Sequence, residues 1–203
     1  MVFPKNTYQK MNEQILWMLV EQTQAEKGNI HRQSQILIES LSEWSLPLIL
    51  KFEKIYWDLM RRSYDADLWA AAYVLSDGCS QEDFLNFRNW LLLQGQATFR
   101  RTVEDPETIT EWLDLRTKHL IQYPDLQNRI GELIAIKSKR PVEIRFSEAD
   151  FELSGDFWDN DLEVVDKVPE LCRKMGWGNQ VPIGEWKTDD TPLYNSAAAG
   201  NLF

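Results

Sequence analysis

Residues Tyr64 to Gly95 read YDADLWAAAYVLSDGCSQEDFLNFRNWLLLQG, which is two helical segments joined by one tight turn. Asp65 is placed to cap the first, because its carboxylate can accept from the exposed N–H groups of a first helical turn. Leu68, Trp69, Ala71, Ala72, Tyr73, Val74 and Leu75 follow with almost no polar interruption. A helix apolar nearly all round belongs in the middle of a protein, and this run is far too short to cross a bilayer. Ala70, Ala71 and Ala72 let neighbouring helices approach closely. Asp77-Gly78 predicts the stop, since glycine tolerates the left-handed conformation at a helix end. Ser80-Gln81-Glu82-Asp83 is close to a capping box, with Asp in the fourth place. Gly95 closes the second segment. A chain organised around such a hairpin folds as helices packed on a central helix.

The second helix reads as amphipathic, with Phe84, Phe87 and Leu91 on one stripe. The remaining slot of that stripe is Arg88. A guanidinium facing a core must find a carboxylate, carbonyl groups or a bound anion, because an unpaired buried charge is very costly. Two readings follow. In one, Arg88 belongs to a structural ion pair, with Asp65, Asp67 and Asp77 as candidate partners. In the other, it faces a small-molecule or anion-binding pocket between the central helices, walled by Trp69, Tyr73 and Trp90.

The residues Leu68-Trp69-Ala70-Ala71-Ala72-Tyr73, Asp77-Gly78-Cys79-Ser80, Phe84, Phe87-Arg88, Trp90-Leu91 and Gln94-Gly95 carry a resemblance. They resemble a bacterial family of unknown function with an LWAAAY–DGCS–F–FR–WL–QG core. Trp17 and the spaced leucines leading to Phe52 extend the likeness over roughly residues 11–125. The resemblance implies a small helical domain and no established activity, so no catalytic residue is carried over. Beyond about residue 140 it ends.

Helical patterns flank the hairpin on both sides. Residues 12–27 read as a helix capped by Asn12 and stopped by Gly28, and residues 31–43 as a second with Ile36, Leu37 and Leu41 inside. Ser45-Leu46-Pro47 marks a break, and a third helix then runs to about Ser63 with Leu50, Ile55 and Leu59 among its apolar positions. A short helical piece at 96–104 leads to Asp105-Pro106-Glu107, a start signal whose helix is predicted to reach Ile121. Another runs from about Pro124 to Ser138. Lys137 to Pro141 is a short basic helix end. Val142 to Phe146 alternates like a short extended segment. Leu162 to Met175 reads as one last helix ended by Gly176, and residues 177–203 as a Gly-, Pro- and Asp-rich tail that wraps the body or frays.

Charge is placed unevenly. Residues 148–190 hold 12 acidic and 4 basic side chains, a net −8, whereas the rest of the chain contributes only −2 to the total of −10. Such a surface disfavours nucleic acid, which needs basic groups to replace counterions. Phe151, Phe157, Trp158, Trp177, Trp186 and Tyr194 lie among those carboxylates. Rings of this kind either pin the segment to the helical body or anchor a protein interface. The spacing of Asp156, Asp159, Asp161 and Glu163 fails the calcium-loop pattern, so a solvated acidic loop is expected and no metal is assigned. Cys79 and Ser80 sit where nucleophiles occur, yet the only histidines, His31 and His119, lie in no motif. No phosphate-binding loop, nucleophile elbow or metalloprotease motif is present. The first residues lack the pattern of a secretory leader, and two cysteines form no metal or redox spacing. The sequence therefore predicts a reduced, cytoplasmic protein with no cofactor and no membrane contact.

The predicted fold is all-α: a compact bundle of about six or seven helices over residues 1–140, with an acidic, less regular extension over 141–203 packing on it. The sequence determines no reaction. The expected function is non-enzymatic: protein binding or regulation through the acidic surface of Asp156, Trp158, Asp159, Asp161 and Glu163, facing a basic protein partner. An immunity-type protein that neutralises a basic toxin is one concrete version. The alternative is the ligand pocket, and possible enzyme, around Arg88.

Overall fold

A computed structural model describes residues 11–115, 124–141 and 146–177. Among them are ten α-helices and no strand. The helices are α1 (Glu13–Thr23), α2 (Ile30–Ser42), α3 (Leu46–Arg62), α4 (Ala66–Ser76), α5 (Gln81–Leu92), α6 (Gln96–Glu104), α7 (Ile109–Trp112), α8 (Leu126–Ser138), α9 (Asp161–Lys167) and α10 (Pro169–Met175).

Local chemistry sets most of the boundaries. Asn12 accepts from the Ile15 amide and caps α1, and Asn29 does the same for α2 through Arg32. Asp65 accepts from the amides of Asp67 and Leu68, at 3.0 and 3.1 Å, and starts α4. Asp77, at φ 55°, takes the left-handed position that ends α4, one residue before the glycine expected there. The short polar side chain of Asp makes that conformation tolerable. Ser80 and Asp83 complete the capping box at the head of α5. Gly95, at φ 98°, turns the chain from α5 into α6, a conformation that a side chain would strain.

α4 lies at the centre of this arrangement, touching α5, α9 and α10. Leu68, Trp69, Ala70, Ala71, Ala72 and Val74 are all buried. α5 is buried on nearly every side rather than on one stripe, since Leu85, Asn89, Trp90 and Leu92 are also inside. On the other flank α1 pairs with α2, and α8 packs on α2 and α3. Two polar links run through this core. The Tyr56 hydroxyl donates to Asn89 Oδ1 at 2.7 Å, and Asn89 donates onward to Gln127, joining α3, α5 and α8. Gln33 donates to Thr23 Oγ1 and to the Leu93 carbonyl, tying α2 to α1 and to the end of α5.

Three expectations are corrected. The helix starting at Pro106 is a 3₁₀ turn followed by the one-turn α7, and Leu113 is extended. Residues 162–175 are two helices, not one. Val168 takes φ −137°, ψ 60° between α9 and α10, because the ring of Pro169 disfavours the helical conformation in the residue before it. Ile36, expected inside α2, is only half-buried. The predicted extended stretch at Val142 falls mostly outside the described residues, as do His119 and residues 178–203.

Residues 146–158 form a strap along α3 and α4. Its one regular piece is a 3₁₀ turn, Glu148–Asp150. The Ser154 amide donates to the Tyr64 carbonyl at 3.0 Å, and the Ala66 amide donates to the Ser154 carbonyl at 2.9 Å. Phe157 meets Trp69 edge-on at 5.2 Å, and Trp158 meets Tyr73 at 5.6 Å. The ring-bearing side of the strap is therefore directed at the helical body.

Candidate functional site

Arg88 leaves α5 toward α3 and is completely buried. Its Nε donates to the Phe84 carbonyl at 3.3 Å and its Nη1 to the Met60 carbonyl at 2.5 Å. Its Nη2 is in contact with the Glu148 carboxylate, itself only 9% exposed. The guanidinium also lies against two ring faces, at 4.5 Å from the centre of Phe84 and 5.0 Å from that of Tyr64. Burial pulls its pKa down to about 9 while Tyr56 and Tyr64 act the other way, so the group keeps its charge at neutral pH. Arg88 is thus internally paired. The partner is Glu148 of the strap rather than Asp65, Asp67 or Asp77.

The rings expected around Arg88 are spread along the helices. Trp69 stacks on Phe84 at 4.7 Å, one ring removed from the guanidinium, and donates its indole N–H to the Cys79 carbonyl. Tyr73 lies a turn further along α4, against Trp158 and Trp177. Trp90 stacks on Trp112 and meets Phe87 at a tilt. It is two residues from Arg88, and side chains so spaced leave a helix in different directions. The rings that do face Arg88 are Phe84, which the sequence places on the same stripe, and Tyr64, for which it gives no such signal. Phe84 is one turn before Arg88, a spacing that places two side chains side by side.

The acidic residues divide into two kinds. Asp156 and Asp159 are exposed. Glu163 accepts from the Asp159 amide at 2.9 Å and from Asn160 Nδ2 at 2.7 Å, which fixes the loop before α9. Asp161 is half-buried and accepts from the Tyr73 hydroxyl at 3.4 Å. Burial, and after it that carboxylate, raises the Tyr73 pKa. Trp158 is buried beneath Phe157 at 4.2 Å, so it pins the strap and offers no surface. Among the described residues no group of three or more His, Cys, Asp or Glu could hold a metal ion.

The turn before α5 carries little reactivity. Burial pushes the Cys79 thiol up to about 12, with Asp83 adding to the shift, and a thiol that high is a poor nucleophile. The Ser80 hydroxyl is engaged with Asp83. His31 sits exposed on α2.

The model of a protein family matches residues 11–132, over half of the chain. The chain belongs to that family, described as "Protein of unknown function (DUF4240)". No curated protein and no solved structure matches it. Arg88, Tyr64, Phe84 and Met60 lie inside the family match, and Glu148 lies beyond its end. No described helix is long and apolar enough to cross a membrane. Family membership brings no assigned activity, and function is not determined by it.

Proposed function

We propose that this protein is a non-enzymatic, cytoplasmic binding or regulatory protein whose acidic face engages a basic protein partner. The observation that carries this reading is the division of labour along residues 146–177. Nine acids and three bases lie there. Phe157 and Trp158 turn toward the body, while Asp150, Glu152, Asp156, Asp159 and Asp166 stay exposed. The backbone that presents them is fixed by the Ser154 hydrogen bonds and by the Asn160 cap of α9. A carboxylate array on a fixed backbone speeds encounter with a positively charged partner and repels phosphate polymers. Neutralisation of a basic toxin fits that chemistry. The pocket reading has less support, because the Arg88 guanidinium is already engaged by Met60, Phe84 and Glu148.

The test neutralises the exposed carboxylates and leaves the packed residues untouched. Full-length protein and its Glu152→Gln/Asp156→Asn/Asp159→Asn/Asp166→Asn variant are used as baits in a bacterial lysate. The expected result is a basic protein held by the wild type, released by high salt and missed by the variant. Equal capture by both baits, or none by either, overturns the reading.

A further inference from the structure

Tyr73 and Asp161, which the sequence assigns to two different surfaces, meet at one corner of the molecule, where the last turn of α4 adjoins α9 and α10. The Tyr73 hydroxyl donates to Asp161 Oδ1 at 3.4 Å. Two indoles stand edge-on to the Tyr73 ring, Trp158 at 5.6 Å and 63° and Trp177 at 5.6 Å and 78°. Trp158 is buried, whereas Tyr73, Asp161 and Trp177 are each half-buried, so the corner meets solvent without any segment having to move. Asp77 is exposed at the end of α4, and its charge acts on the same hydroxyl. One long hydrogen bond uses little of a carboxylate's acceptor capacity. Among the described residues no Lys or Arg pairs with Asp161.

The chemistry of the corner selects its ligand. An anion is repelled by Asp161 and Asp77. A hard metal ion takes six or more oxygen ligands, and no described group of His, Cys, Asp or Glu could hold one. Tyr and Trp rings beside a single carboxylate attract an organic cation. A guanidinium fork is matched to both oxygens of a carboxylate, and Oδ1 is already engaged by Tyr73. An ammonium is a compact charge that needs only one oxygen.

We propose that this corner anchors a lysine side chain of the basic partner, its ammonium on Asp161 and its stem along the Tyr73 and Trp177 rings. The inference rests on the acidic-face reading for the partner itself. The outer carboxylates speed the encounter, and the corner decides which side chain is held.

The probes are two tripeptides, acetyl-Gly-Lys-Gly-amide and its norleucine counterpart, which keeps the stem and lacks the ammonium. Each is titrated into the full-length protein while the assigned indole N–H signals are followed by NMR. The lysine peptide should shift the Trp158 and Trp177 signals saturably and leave those of Trp17 and Trp90 in place. The norleucine peptide should shift none. Asp161→Asn, close to the original in shape, should weaken lysine binding by at least about fivefold, and Asp156→Asn should bind as the wild type does. An equal response to norleucine overturns the inference, and that comparison needs no variant to fold. Absence of a saturable shift at the two indoles, unchanged binding by Asp161→Asn, or equal weakening by Asp156→Asn overturns it too. None of the four acids neutralised in the lysate experiment belongs to the corner, so failure of capture there and failure of the titration here are separate results.

Discussion

Arg88 is among the largest side chains fully removed from solvent, and it is charged. A buried ion pair is costly to break from one side, because the survivor keeps its charge and loses its partner. Arg88→Ala and Glu148→Ala should each destabilise the fold by about 3–5 kcal/mol. Arg88→Met/Glu148→Leu should cost far less than the two single changes together, since apolar groups of similar size replace the pair without leaving a charge. Urea unfolding of the variants measures this, and additive losses would show that the two residues do not act as one unit. Glu13 gives a second test at this scale. Burial raises its pKa, but hydrogen bonds from Trp17, Arg62 and Arg100 outweigh that and hold it near 2, below the usual 4.5. A carboxyl depressed in the folded state stabilises above its unfolded pKa, and that contribution fades as pH falls through the folded one. Between about pH 5 and pH 2 the wild type should therefore lose stability more steeply than Glu13→Gln. High salt should narrow the difference, because Arg62 and Arg100 are more than half exposed. Acid titrations followed by circular dichroism, with and without salt, decide it.

Individual elements are where the sequence is most readable. Asn12, Asp65 and Ser80 are caps because the amides they satisfy lie two or three residues away, and such short-range chemistry leaves a local pattern. The central helix is equally visible, since a run from Leu68 to Leu75 without a charge can only be buried. The break at Val168 was also written in the chain, in Pro169, but the apolar spacing across it continues smoothly and masks it. The candidate site was half legible. Arg88 stands out because it interrupts an apolar stripe. Its partner does not, because Glu148 comes from a distant segment with many carboxylates, and no periodicity relates the two. The same applies to α10. Its first turn is capped by Glu107, from the 3₁₀ turn before α7, whose two carboxylate oxygens accept from the amides of Glu170 and Leu171 at 2.8 and 2.9 Å. Glu107→Ala removes both acceptors and should cost about 1 kcal/mol, the usual worth of a cap. The loss should be local: amides of residues 170–175 exchange faster with deuterium while those of α4 and α5 do not. Uniform acceleration across the molecule would mean that α10 unfolds only with the whole.

At the scale of the whole molecule, the family match and the folding unit have different boundaries. The match ends at residue 132, yet α4 is covered on one side by α9 and α10, and Trp57, Tyr64, Trp69 and Tyr73 meet rings of the strap. A chain ending at Pro141 would retain α1 to α8 and lose Glu148, Phe151, Phe157 and Trp158. It would uncover four aromatic rings and leave the guanidinium of Arg88 without a carboxylate. Losses of about 2 kcal/mol for each large buried side chain, added to the broken ion pair, reach a large fraction of the stability of an ordinary domain. The truncated chain should keep most of its helical far-ultraviolet signal, because the caps and the α1–α2 and α3–α8 contacts remain. Its melting temperature should fall by about 10 °C or more, since in a domain of this size each kcal/mol is worth a few degrees. It should also bind a hydrophobic dye that the full chain does not, as surfaces meant to be covered do. Adding the peptide of residues 146–160 should reverse part of both changes if the strap contributes through its contacts. A truncated chain that melts with the full chain and stays dark with the dye would show instead that the family core is stable on its own, with the strap an ornament on a finished fold.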